Sequence, residues 1–448
     1  MHKRLFVNIM SFDYFDILPE IKDGISDMGF SEPTAIQKLA IPPALKGLDI
    51  ISQAQTGSGK TLAFAIPSLN KVWIPDKSPQ ILVLTPTREL AIQVAGEFVK
   101  LSNFMEKLRV LPVYGGQAIG KQTRVLKKGV HVVIGTPGRI IDHINRGNLD
   151  VSTISTLVLD EADEMLDMGF IEDIEEIISY TPKQRQTLLF SATISDDVKR
   201  IAKKYEKNPK FIKTKDNKGN RPKIKQYYFE TPRNKKIQAL NNILELYDIN
   251  LALLFCNTKK QVDFLYKKLK NKGYNVAALH GDMKQVKRDR IMEKFRKSKI
   301  NILIATDVAA RGIDVSNVEV VFNYDLPESD EVYVHRIGRC GRAGSTGYAL
   351  SFVTGRDVKY LRSIQKFTKT KIKQAKVPTN KEVEFKKSRI VLNEVKDILN
   401  NENNINTDIN NYIIEEMIKE GYNNKDIISA LIEIVKNNNK KSNKKEKR

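Results

Sequence analysis

A glycine-rich loop that ends in lysine and threonine is the stretch whose residues point most clearly to chemistry. The segment Ala54–Thr61 reads Ala-Gln-Thr-Gly-Ser-Gly-Lys-Thr and follows the largely apolar run Asp49–Gln53. Its glycines let backbone N–H groups turn toward phosphate oxygens, and a helix beginning near Lys60 adds its positive end. Lys60 can reach the β- and γ-phosphates, and the Thr61 hydroxyl can bind Mg²⁺. The loop therefore predicts a nucleotide site, although Ala54 stands where the general pattern has glycine.

A second cluster of chemically capable side chains is the acidic stretch Asp160-Glu161-Ala162-Asp163, which follows the apolar run Leu157–Leu159. A carboxylate at the end of a buried strand can hold Mg²⁺ through water, and its neighbour can orient or deprotonate an attacking water molecule. A solvated acidic loop is the alternative interpretation of such a stretch. The phosphate loop upstream and the apolar run before the acids both favour a nucleotide site.

Short apolar runs recur along the chain and must position these clusters. In the first half they are Ile81–Leu84, His131–Ile134, Thr156–Leu159 and Thr187–Phe190. In the second half they are Leu251–Phe255, Val276–Leu279, Asn301–Ile304, Val318–Phe322 and Tyr348–Val353. Consecutive apolar residues are typical of strands buried on both faces of a parallel sheet, and helical patterns lie between them. The sequence therefore predicts two α/β domains with parallel sheets flanked by helices, which bind ligands at the carboxyl ends of the strands.

Composition limits the classes of function. Of 448 residues, 41% are hydrophobic and 29% are charged, which is ordinary for a globular protein. The net charge of +22 indicates a polyanionic partner, although general over-use of lysine contributes to it. Cys256 and Cys340 form no spaced framework, which favours a reducing, cytoplasmic compartment. The N-terminal apolar segment is too short for a signal peptide, and Met10 is an alternative start to Met1. No run reaches the ~20 apolar residues of a membrane helix.

The order of these patterns predicts how the chain divides. We predict a nucleotide-binding domain over residues 1–213 and a second α/β domain over 223–377. Polar residues and glycine interrupt the pattern between them, which predicts a linker over 214–222. Apolar residues at helical spacing predict a helical region over 378–437. The lysine-rich tail, 438–448, is predicted to be disordered.

In their order along the chain, these motifs resemble those of the DEAD-box ATP-dependent RNA helicases, from roughly Phe12 to Phe367. The segment Gly29–Gln37 is similar to the family's adenine-reading motif. Phe12 would be its upstream aromatic, Phe30 would pack on the base, and the Gln37 amide would read the base edge. The resemblance implies two RecA-like domains, ATP and Mg²⁺ as cofactors, and RNA-stimulated hydrolysis of ATP to ADP and phosphate.

The same resemblance implies roles at the nucleotide site. Thr61 and Asp160 would hold Mg²⁺, Lys60 the phosphates, and Glu161 would be the catalytic base. Further implied nucleotide contacts are Gln55, Thr56, Gly57, Ser58, Gly59 and Asp314. Asp314 and Asp307 belong to one stretch, which matches the family motif that contacts both nucleotide and RNA. Residues implied to couple hydrolysis to strand separation are Asp163, Ser191, Ala192 and Thr193.

The segment His335–Arg342 resembles the family's arginine-finger motif. His335 would link to the acidic motif, while Arg339 and Arg342 would stabilise the γ-phosphate, a contribution of ~10³–10⁵ in rate in related phosphoryl transfer. Cys340 stands where threonine is usual in this motif. The substitution removes a hydroxyl, and we expect modest consequences.

The RNA contacts that the resemblance implies lie in both domains. In the first they are Pro86, Thr87, Arg88, Gly115, Gly116, Thr136, Pro137, Gly138 and Arg139. In the second they are Asn257, Gln285, Arg288 and Thr306. Small side chains, glycines with exposed N–H groups and arginines suit binding of the sugar-phosphate backbone without reading bases. We therefore expect sequence-independent binding of single-stranded and structured RNA, with salt-sensitive affinity from the basic tail.

The helical region is similar, more loosely, to the C-terminal dimerisation region of bacterial cold-shock DEAD-box helicases. We expect a homodimer because three amphipathic helices form a poor core alone, and packing of these helices on the second domain is the alternative. The predicted function is ATP-dependent local unwinding of short RNA duplexes as the two domains close. The predicted processes are RNA decay, ribosome assembly or the cold stress response, and the predicted protein partners are RNA-decay or ribosomal proteins. An ATP-gated RNA clamp and a DNA helicase are the competing hypotheses.

Overall fold

The computed structural model describes residues 11–54, 57–214, 223–310, 318–341, 346–400 and 407–446. These residues form two compact α/β units, one within 11–214 and the other within 223–446. Among the described residues, no helix is both long enough and apolar enough to cross a bilayer.

The first unit is built on a seven-stranded sheet in the order β3-β4-β2-β5-β6-β1-β7, with parallel neighbours throughout. Its strands are β1 Ile50–Gln53, β2 Ile81–Leu84, β3 Val110–Val113, β4 Val132–Gly135, β5 Thr156–Asp160, β6 Gln186–Ser191 and β7 Lys210–Lys213. Its helices are α1 Pro19–Asp27, α2 Ala35–Leu45, α3 Lys60–Leu69, α4 Arg88–Leu101, α5 Ile119–Leu126, α6 Pro137–Asn145, α7 Ala162–Asp167, α8 Ile171–Tyr180 and α9 Asp196–Tyr205.

Apolar side chains fill both faces of this sheet. Ile81 and Val83 of β2 belong to one hydrophobic cluster, whereas Leu82 and Leu84 belong to a second cluster on the opposite face. Successive side chains of a strand point to opposite faces, so a strand covered by helices on both sides must be apolar at every position. This arrangement confirms the prediction of buried parallel strands.

The second unit repeats the plan, with the parallel order β10-β11-β9-β12-β13-β8-β14. Its strands are β8 Lys223–Glu230, β9 Ala252–Phe255, β10 Val276–Leu279, β11 Ile302–Ala305, β12 Val320–Asn323, β13 Thr346–Val353 and β14 Lys373–Gln374. Its helices are α10 Lys236–Leu246, α11 Lys259–Asn271, α12 Gln285–Arg296, α13 Asp307–Ala310, α14 Asp330–Ile337, α15 Val358–Thr368, α16 Asn380–Asn400, α17 Thr407–Lys419 and α18 Asn424–Glu446. The chain therefore consists of two RecA-like α/β domains with a helical C-terminal region.

The first helix of the C-terminal region, α16, packs on α10 of the second unit. Lys386 and Lys387 form ion pairs of 3.0 Å and 2.6 Å with Asp248 and Glu245. The Asn242 amide donates to the Pro378 carbonyl at 2.8 Å. Packing on the second domain, which the sequence leaves as the alternative to dimerisation, therefore occurs for α16.

The C-terminal end of the described chain differs from the prediction. Helix α18 continues to Glu446, so most of the segment predicted to be a disordered tail is helical. Adding residues to an existing helix needs no new nucleation, and lysine is a good helix former, so polarity alone does not end a helix. The predicted linker lies, apart from Thr214, outside the described residues, and the domain boundaries remain predictions.

A buried acid at the end of α9 makes stability depend on pH. Both carboxylate oxygens of Glu206 are buried and accept no hydrogen bond from any described residue. Burial raises the pKa of Glu206 from 4.5 to about 9; the charge of Asp49 adds to the shift and Arg185 opposes it. Between pH 4.5 and 9, Glu206 therefore stays protonated in the folded chain, whereas in the unfolded chain it loses its proton. Stability contributed by this group is present below pH 4.5 and is lost as the pH rises toward 9.

We expect Glu206→Gln to stabilise the first unit at pH 8 by about 2 kcal/mol, because the neutral amide needs no proton. The gain should shrink to near zero at a pH close to the ordinary pKa of 4.5. Thermal unfolding across this pH range measures both values, with the exposed acid Glu172→Gln as control. An equal gain at both ends of the range would show that Glu206 ionises normally in the fold.

Candidate nucleotide and RNA sites

The phosphate loop lies where the sequence predicts it, between β1 and α3. Gly57 and Gly59 have φ angles of 79° and 89°, which residues with side chains rarely adopt. Helix α3 begins at Lys60, so the unpaired N–H groups of its first turn border the loop. Ser58 and Thr61 are half-buried beside it. The predicted site residues outside the described part of the chain are Gln55, Thr56, Asp314 and Arg342.

Gln37 holds the phosphate loop in addition to capping α2. Its amide nitrogen donates to the Gly59 carbonyl at 2.9 Å, and its amide oxygen accepts from the Thr34 N–H at 2.8 Å. A Cβ atom on Gly59 would lie 2.7 Å from the Gln37 nitrogen, so only glycine fits this approach. The amide keeps one further N–H and one further lone pair, which is the pattern needed to read an adenine edge.

The two aromatic residues predicted to serve the base differ in exposure. Phe12 is 5% exposed and packs edge-to-face on Phe15, with ring centroids 6.0 Å apart. Phe30 is 47% exposed. Burial assigns the Phe12 ring to the hydrophobic core, and Phe30 is the ring of the two that has a face available for stacking.

The acidic stretch meets the phosphate loop at the end of β5. The Lys60 ammonium lies 3.4 Å from Asp160 Oδ1 and 3.7 Å from Glu161 Oε1. Glu161 adopts a left-handed conformation, with φ 53° and ψ 51°. A non-glycine residue in this region costs energy and is typical of functional sites, where the surrounding structure fixes the side chain.

The charges of this cluster suit a metal-bound phosphate. Burial raises the pKa of Asp160 to about 6, against the attraction of Lys60. Burial also opposes the charge of Lys60, but the neighbouring carboxylates outweigh it and raise the pKa of the lysine. Among the described residues, Lys60 Nζ and Asp160 Oδ1 meet only in their 3.4 Å ion pair, and neither makes a well-aligned hydrogen bond. A phosphate oxygen and hydrated Mg²⁺ are the partners that these atoms fit.

The predicted coupling residues form one hydrogen-bonded network. Asp163 Oδ2 accepts from the Thr193 N–H at 2.8 Å and from its hydroxyl at 2.9 Å. The Ser191 hydroxyl accepts from the Asp163 N–H at 3.2 Å and donates to the Thr193 carbonyl at 2.6 Å. The Ala192 carbonyl accepts from the Gln53 amide at 3.4 Å, which extends the network to β1. The acidic stretch is therefore tied directly to the segment after β6.

The RNA contacts predicted in the first unit lie on neighbouring loops. Thr87 caps α4 by accepting from the Leu90 N–H, after Pro86. The Arg88 guanidinium stacks 4.5 Å above the Tyr114 ring, next to the exposed glycines Gly115 and Gly116. Thr136 and Pro137 begin α6, which presents Gly138 at the surface. These contacts place the segment of Arg88, the glycines Gly115 and Gly116 and the start of α6 in one region of the first unit.

Gln122 joins two of these loops, and sequence reasoning missed it. This side chain is 2% exposed and donates to the Tyr114 carbonyl and to Gln117 Oε1, both at 3.0 Å. Its oxygen accepts from Arg139 at 3.2 Å and contacts the His143 ring nitrogen at 2.9 Å. Burial lowers the pKa of His143, which favours a neutral ring that donates here. All four hydrogen-bonding positions of the amide are therefore used.

The predicted RNA contacts of the second unit are partly used within the fold. The Asn257 amide donates to the Leu326 carbonyl at 2.9 Å, and its oxygen accepts from Arg336 at 2.9 Å. Gln285 and Arg288 lie in the first turns of α12, 3.4 Å apart. Thr306 follows β11 and is half-buried, as are His335 and Arg339 in and after α14.

Cys340 fits the arginine-finger motif as a small buried residue. The thiol is fully buried and contacts the Ile337 and Tyr348 carbonyls at 3.3 Å and 3.5 Å. A Cβ on Gly347 would lie 2.8 Å from its sulfur, so glycine permits this close approach. A weak S–H donor thus faces carbonyls that a hydroxyl would contact more strongly.

Comparison with known proteins agrees with this geometry. The DEAD/DEAH box helicase family model matches residues 34–201, and the helicase conserved C-terminal domain model matches residues 235–344. DEAD-box ATP-dependent RNA helicase CshA of Geobacillus kaustophilus is 48% identical over 393 residues, 88% of this chain and 84% of that protein. CshA of Bacillus subtilis is 44% identical over 397 residues, 89% of this chain and 80% of that protein.

Two solved structures with bound RNA are also similar. Dbp5 of S. cerevisiae bound to RNA and ADP BeF3 is 36% identical, with a TM-score of 0.75 over 84% of this chain and 97% of that chain. DEAD-box helicase Mss116 bound to ssRNA and UDP-BeF is 30% identical, with a TM-score of 0.75 over 85% of this chain and 81% of that one. With relatives this similar across both units, the chain belongs to the family of DEAD-box ATP-dependent RNA helicases.

Proposed function

We propose that this RNA-stimulated ATPase unwinds short RNA duplexes locally, without moving processively along the strand. The observation that carries the proposal is that the acidic stretch which pairs with Lys60 through Asp160 and Glu161 also binds Thr193 through Asp163. A change at the phosphate would pass along this stretch to the segment after β6. The RNA-bound similar structures, Dbp5 and Mss116, support an RNA substrate.

The proposed roles at the nucleotide site follow from charge and reach. Lys60 contacts the β- and γ-phosphates, and Glu161 accepts a proton from the attacking water. Thr61 and, through water, Asp160 would hold Mg²⁺, which would supply positive charge to the phosphate oxygens. Gln37 and Phe30 would bind adenine, which favours ATP over GTP.

The second domain would complete the site. Arg339 and Arg342 stabilise the charge that develops on the transferred phosphate, and His335 links the two domains. Because these residues belong to a different domain from Lys60, hydrolysis requires closure of the domains. Closure would also grip the RNA backbone across both domains and bend one strand, which expels its complement. Removal of short duplexes in this way serves RNA decay, ribosome assembly or cold adaptation.

Unwinding and clamping predict different product yields from one experiment. A short RNA duplex carrying a labelled strand is incubated with limiting enzyme, and with either ATP or a non-hydrolysable analogue. We expect several strands released per enzyme with ATP and at most one with the analogue. Retention of RNA without strand release under both conditions would favour the ATP-gated clamp. Equal unwinding of a DNA duplex would favour the DNA helicase, since only RNA offers a 2′-hydroxyl.

We also propose a homodimer formed through α17 and α18. Their side chains leave much apolar surface exposed: Tyr412 is 64% exposed, Ile413 52%, Ile428 56%, Leu431 52% and Ile434 55%. Ile428 and Leu431 lie on one face of α18, three residues apart. Apolar stripes of this kind are typical of interfaces between subunits.

Charge on that stripe should separate the subunits. We expect Ile428→Glu with Leu431→Glu to convert a dimer to a monomer in sedimentation equilibrium, because buried unpaired carboxylates are costly. Ser429→Glu, at an exposed polar position on another face of α18, is the control and should remain dimeric. A wild-type protein that sediments as a monomer at all concentrations would remove this part of the proposal.

A further inference from the structure

Trp73 is the only tryptophan of the chain, and it is 68% exposed. It lies in the loop between α3 and β2, residues 70–80. A single exposed apolar side chain is common on soluble proteins and needs no explanation by itself. Trp73 differs because buried polar side chains fix the backbone beneath it.

The Gln80 side chain holds the backbone of Trp73. Its amide oxygen accepts from the Trp73 N–H and its amide nitrogen donates to the Trp73 carbonyl, both at 2.8 Å. The same nitrogen donates to the Asp76 carbonyl at 3.0 Å. Gln80 is 7% exposed and directly precedes β2, so these bonds anchor the loop to the sheet.

The His131 ring holds the next residue of the loop. Its Nδ1 accepts from the Arg109 N–H at 3.0 Å, so Nε2 carries the proton and donates to the Ile74 carbonyl at 2.9 Å. His131 is 1% exposed. Two buried side chains therefore keep the loop in one conformation. A partner can bind Trp73 without the cost of ordering the loop first.

Exposed basic side chains border the same loop. Lys77 belongs to it and packs on Gly129, where a Cβ atom would lie 2.6 Å from the Cβ of Lys77. The Arg109 guanidinium donates to the Lys128 carbonyl at 2.5 Å, which places a second and a third cation beside Gly129. The side chains of Lys77, Arg109 and Lys128 are all exposed.

The charge of this surface favours a polyanion over a protein partner. The segments 70–80 and 127–131 contain four lysines, Lys71, Lys77, Lys127 and Lys128, against one acid, Asp76. Lysine is depleted at interfaces between proteins, whereas cations around an exposed aromatic ring suit a nucleic acid strand. The cations pair with phosphates, and a base of any identity can stack on the ring.

This surface lies at the opposite edge of the sheet from the predicted RNA contacts of the first unit. Gln80 and His131 directly precede β2 and β4, whereas Pro86 and Thr136 lie beyond the carboxyl ends of the same two strands. A strand of four residues spans about 13 Å. An RNA that contacts both edges must therefore extend beyond the loops at the carboxyl edge.

We propose that Trp73, Lys77, Arg109 and Lys128 form a second RNA-binding surface, which takes a single-stranded extension of the RNA substrate. A base stacks on Trp73, and the three cations neutralise phosphates. The inference rests on the proposed RNA substrate and adds a preference for duplexes that carry such an extension. The surface contains no residue of the nucleotide site, so it changes RNA affinity and leaves the chemistry of hydrolysis unchanged.

Trp73 itself reports the contact, because all tryptophan fluorescence of the full-length protein comes from this residue. A labelled RNA duplex with an extension of about ten adenosines is added in the absence of ATP, and fluorescence and RNA anisotropy are followed together. We expect the stacked base to quench the tryptophan emission in parallel with binding. A blunt duplex should bind without this quenching.

Substitutions of Trp73 test whether the ring contributes affinity. Trp73→Leu keeps an apolar side chain but offers no ring, so we expect affinity for the extended duplex to fall about tenfold. Affinity for the blunt duplex should stay at the wild-type value. Trp73→Phe is the matched control, because it keeps a ring for stacking, and its affinity should stay within about threefold of the wild type.

Salt dependence tests the cations separately. Each phosphate contact to a single strand contributes about 0.7 to the slope of log affinity against log salt. We expect Lys77→Gln combined with Lys128→Gln to lower this slope by about 1.4 for the extended duplex. ATP turnover at saturating RNA should match the wild type, because neither lysine belongs to the nucleotide site.

The outcomes separate this inference from the proposed function. If the extended duplex bound without quenching, and equally well to the wild type and to Trp73→Leu, the second surface would be overturned while the proposed function stood. A wild-type protein that bound no RNA would remove the proposed function as well. Quenching by a polyglutamate peptide and not by RNA would overturn the inference in favour of an acidic protein partner.

Discussion

Glutamine in place of Glu161 should slow RNA-stimulated ATP hydrolysis by about 10²–10⁴-fold, the range that a positioned general base contributes. Glu161 is held in a left-handed backbone conformation 3.7 Å from the Lys60 ammonium. Glutamine keeps the size of the side chain but cannot accept the proton of the attacking water. Steady-state turnover at saturating RNA and ATP measures the loss.

Binding should survive this substitution, because Lys60 and the phosphate loop are unchanged. We expect Glu161→Gln to hold ATP and RNA together for longer than the wild-type protein, which fluorescence anisotropy with labelled RNA can follow. The exposed acid Glu172→Gln is the control and should turn over ATP normally. If Glu161→Gln hydrolysed ATP as fast as the wild-type protein, another group would have to be the base.

Valine in place of Thr193 should separate ATP hydrolysis from unwinding. The Thr193 hydroxyl donates to Asp163 at 2.9 Å, and hydrogen bonds to charged groups contribute about 1.5–3 kcal/mol each. Losing this bond weakens the connection between the acidic stretch and the segment after β6. We expect the number of duplexes unwound per ATP to fall at least about tenfold. ATP turnover should change far less, because the atoms around the phosphate stay in place.

Serine at position 193 is the matched control for this effect. Thr193→Ser keeps the hydroxyl and removes only a methyl group, so unwinding per ATP should stay close to the wild-type value. Parallel measurement of strand release and phosphate release gives the ratio for each variant. If Thr193→Val and Thr193→Ser unwound equally well per ATP, the hydroxyl would have no part in coupling.

The strands that carry the nucleotide site could be predicted because their apolar character is continuous. The run Ile81–Leu84 is a strand with the predicted bounds, and the acidic stretch follows β5 as expected. The strands β3 and β8 could not be predicted in this way. Pro112 interrupts β3, and β8 begins Lys-Ile-Lys-Gln, so both resemble loops in sequence. Both strands form because they pair with parallel neighbours, and such tertiary contacts cannot be read from the local sequence.

The residue that connects two of the predicted RNA-binding loops could not be predicted for a different reason. Gln122 is a polar residue in a helix, and in sequence it looks like an ordinary surface position. Its burial follows from which loops the sheet brings to one edge, and no local spacing reports it. Sequence motifs identify residues that face a ligand. Residues that support them from within the fold can be identified only once their hydrogen-bond partners are known.

The central claim is that RNA binding and ATP hydrolysis are coupled, and steady-state hydrolysis by the purified protein tests it most directly. Phosphate release is measured without nucleic acid, with structured RNA, and with DNA of the same sequence. We expect stimulation by RNA of at least about tenfold and none of comparable size by DNA. Hydrolysis that is indifferent to RNA would mean that the catalytic site is complete without it, and would contradict the account.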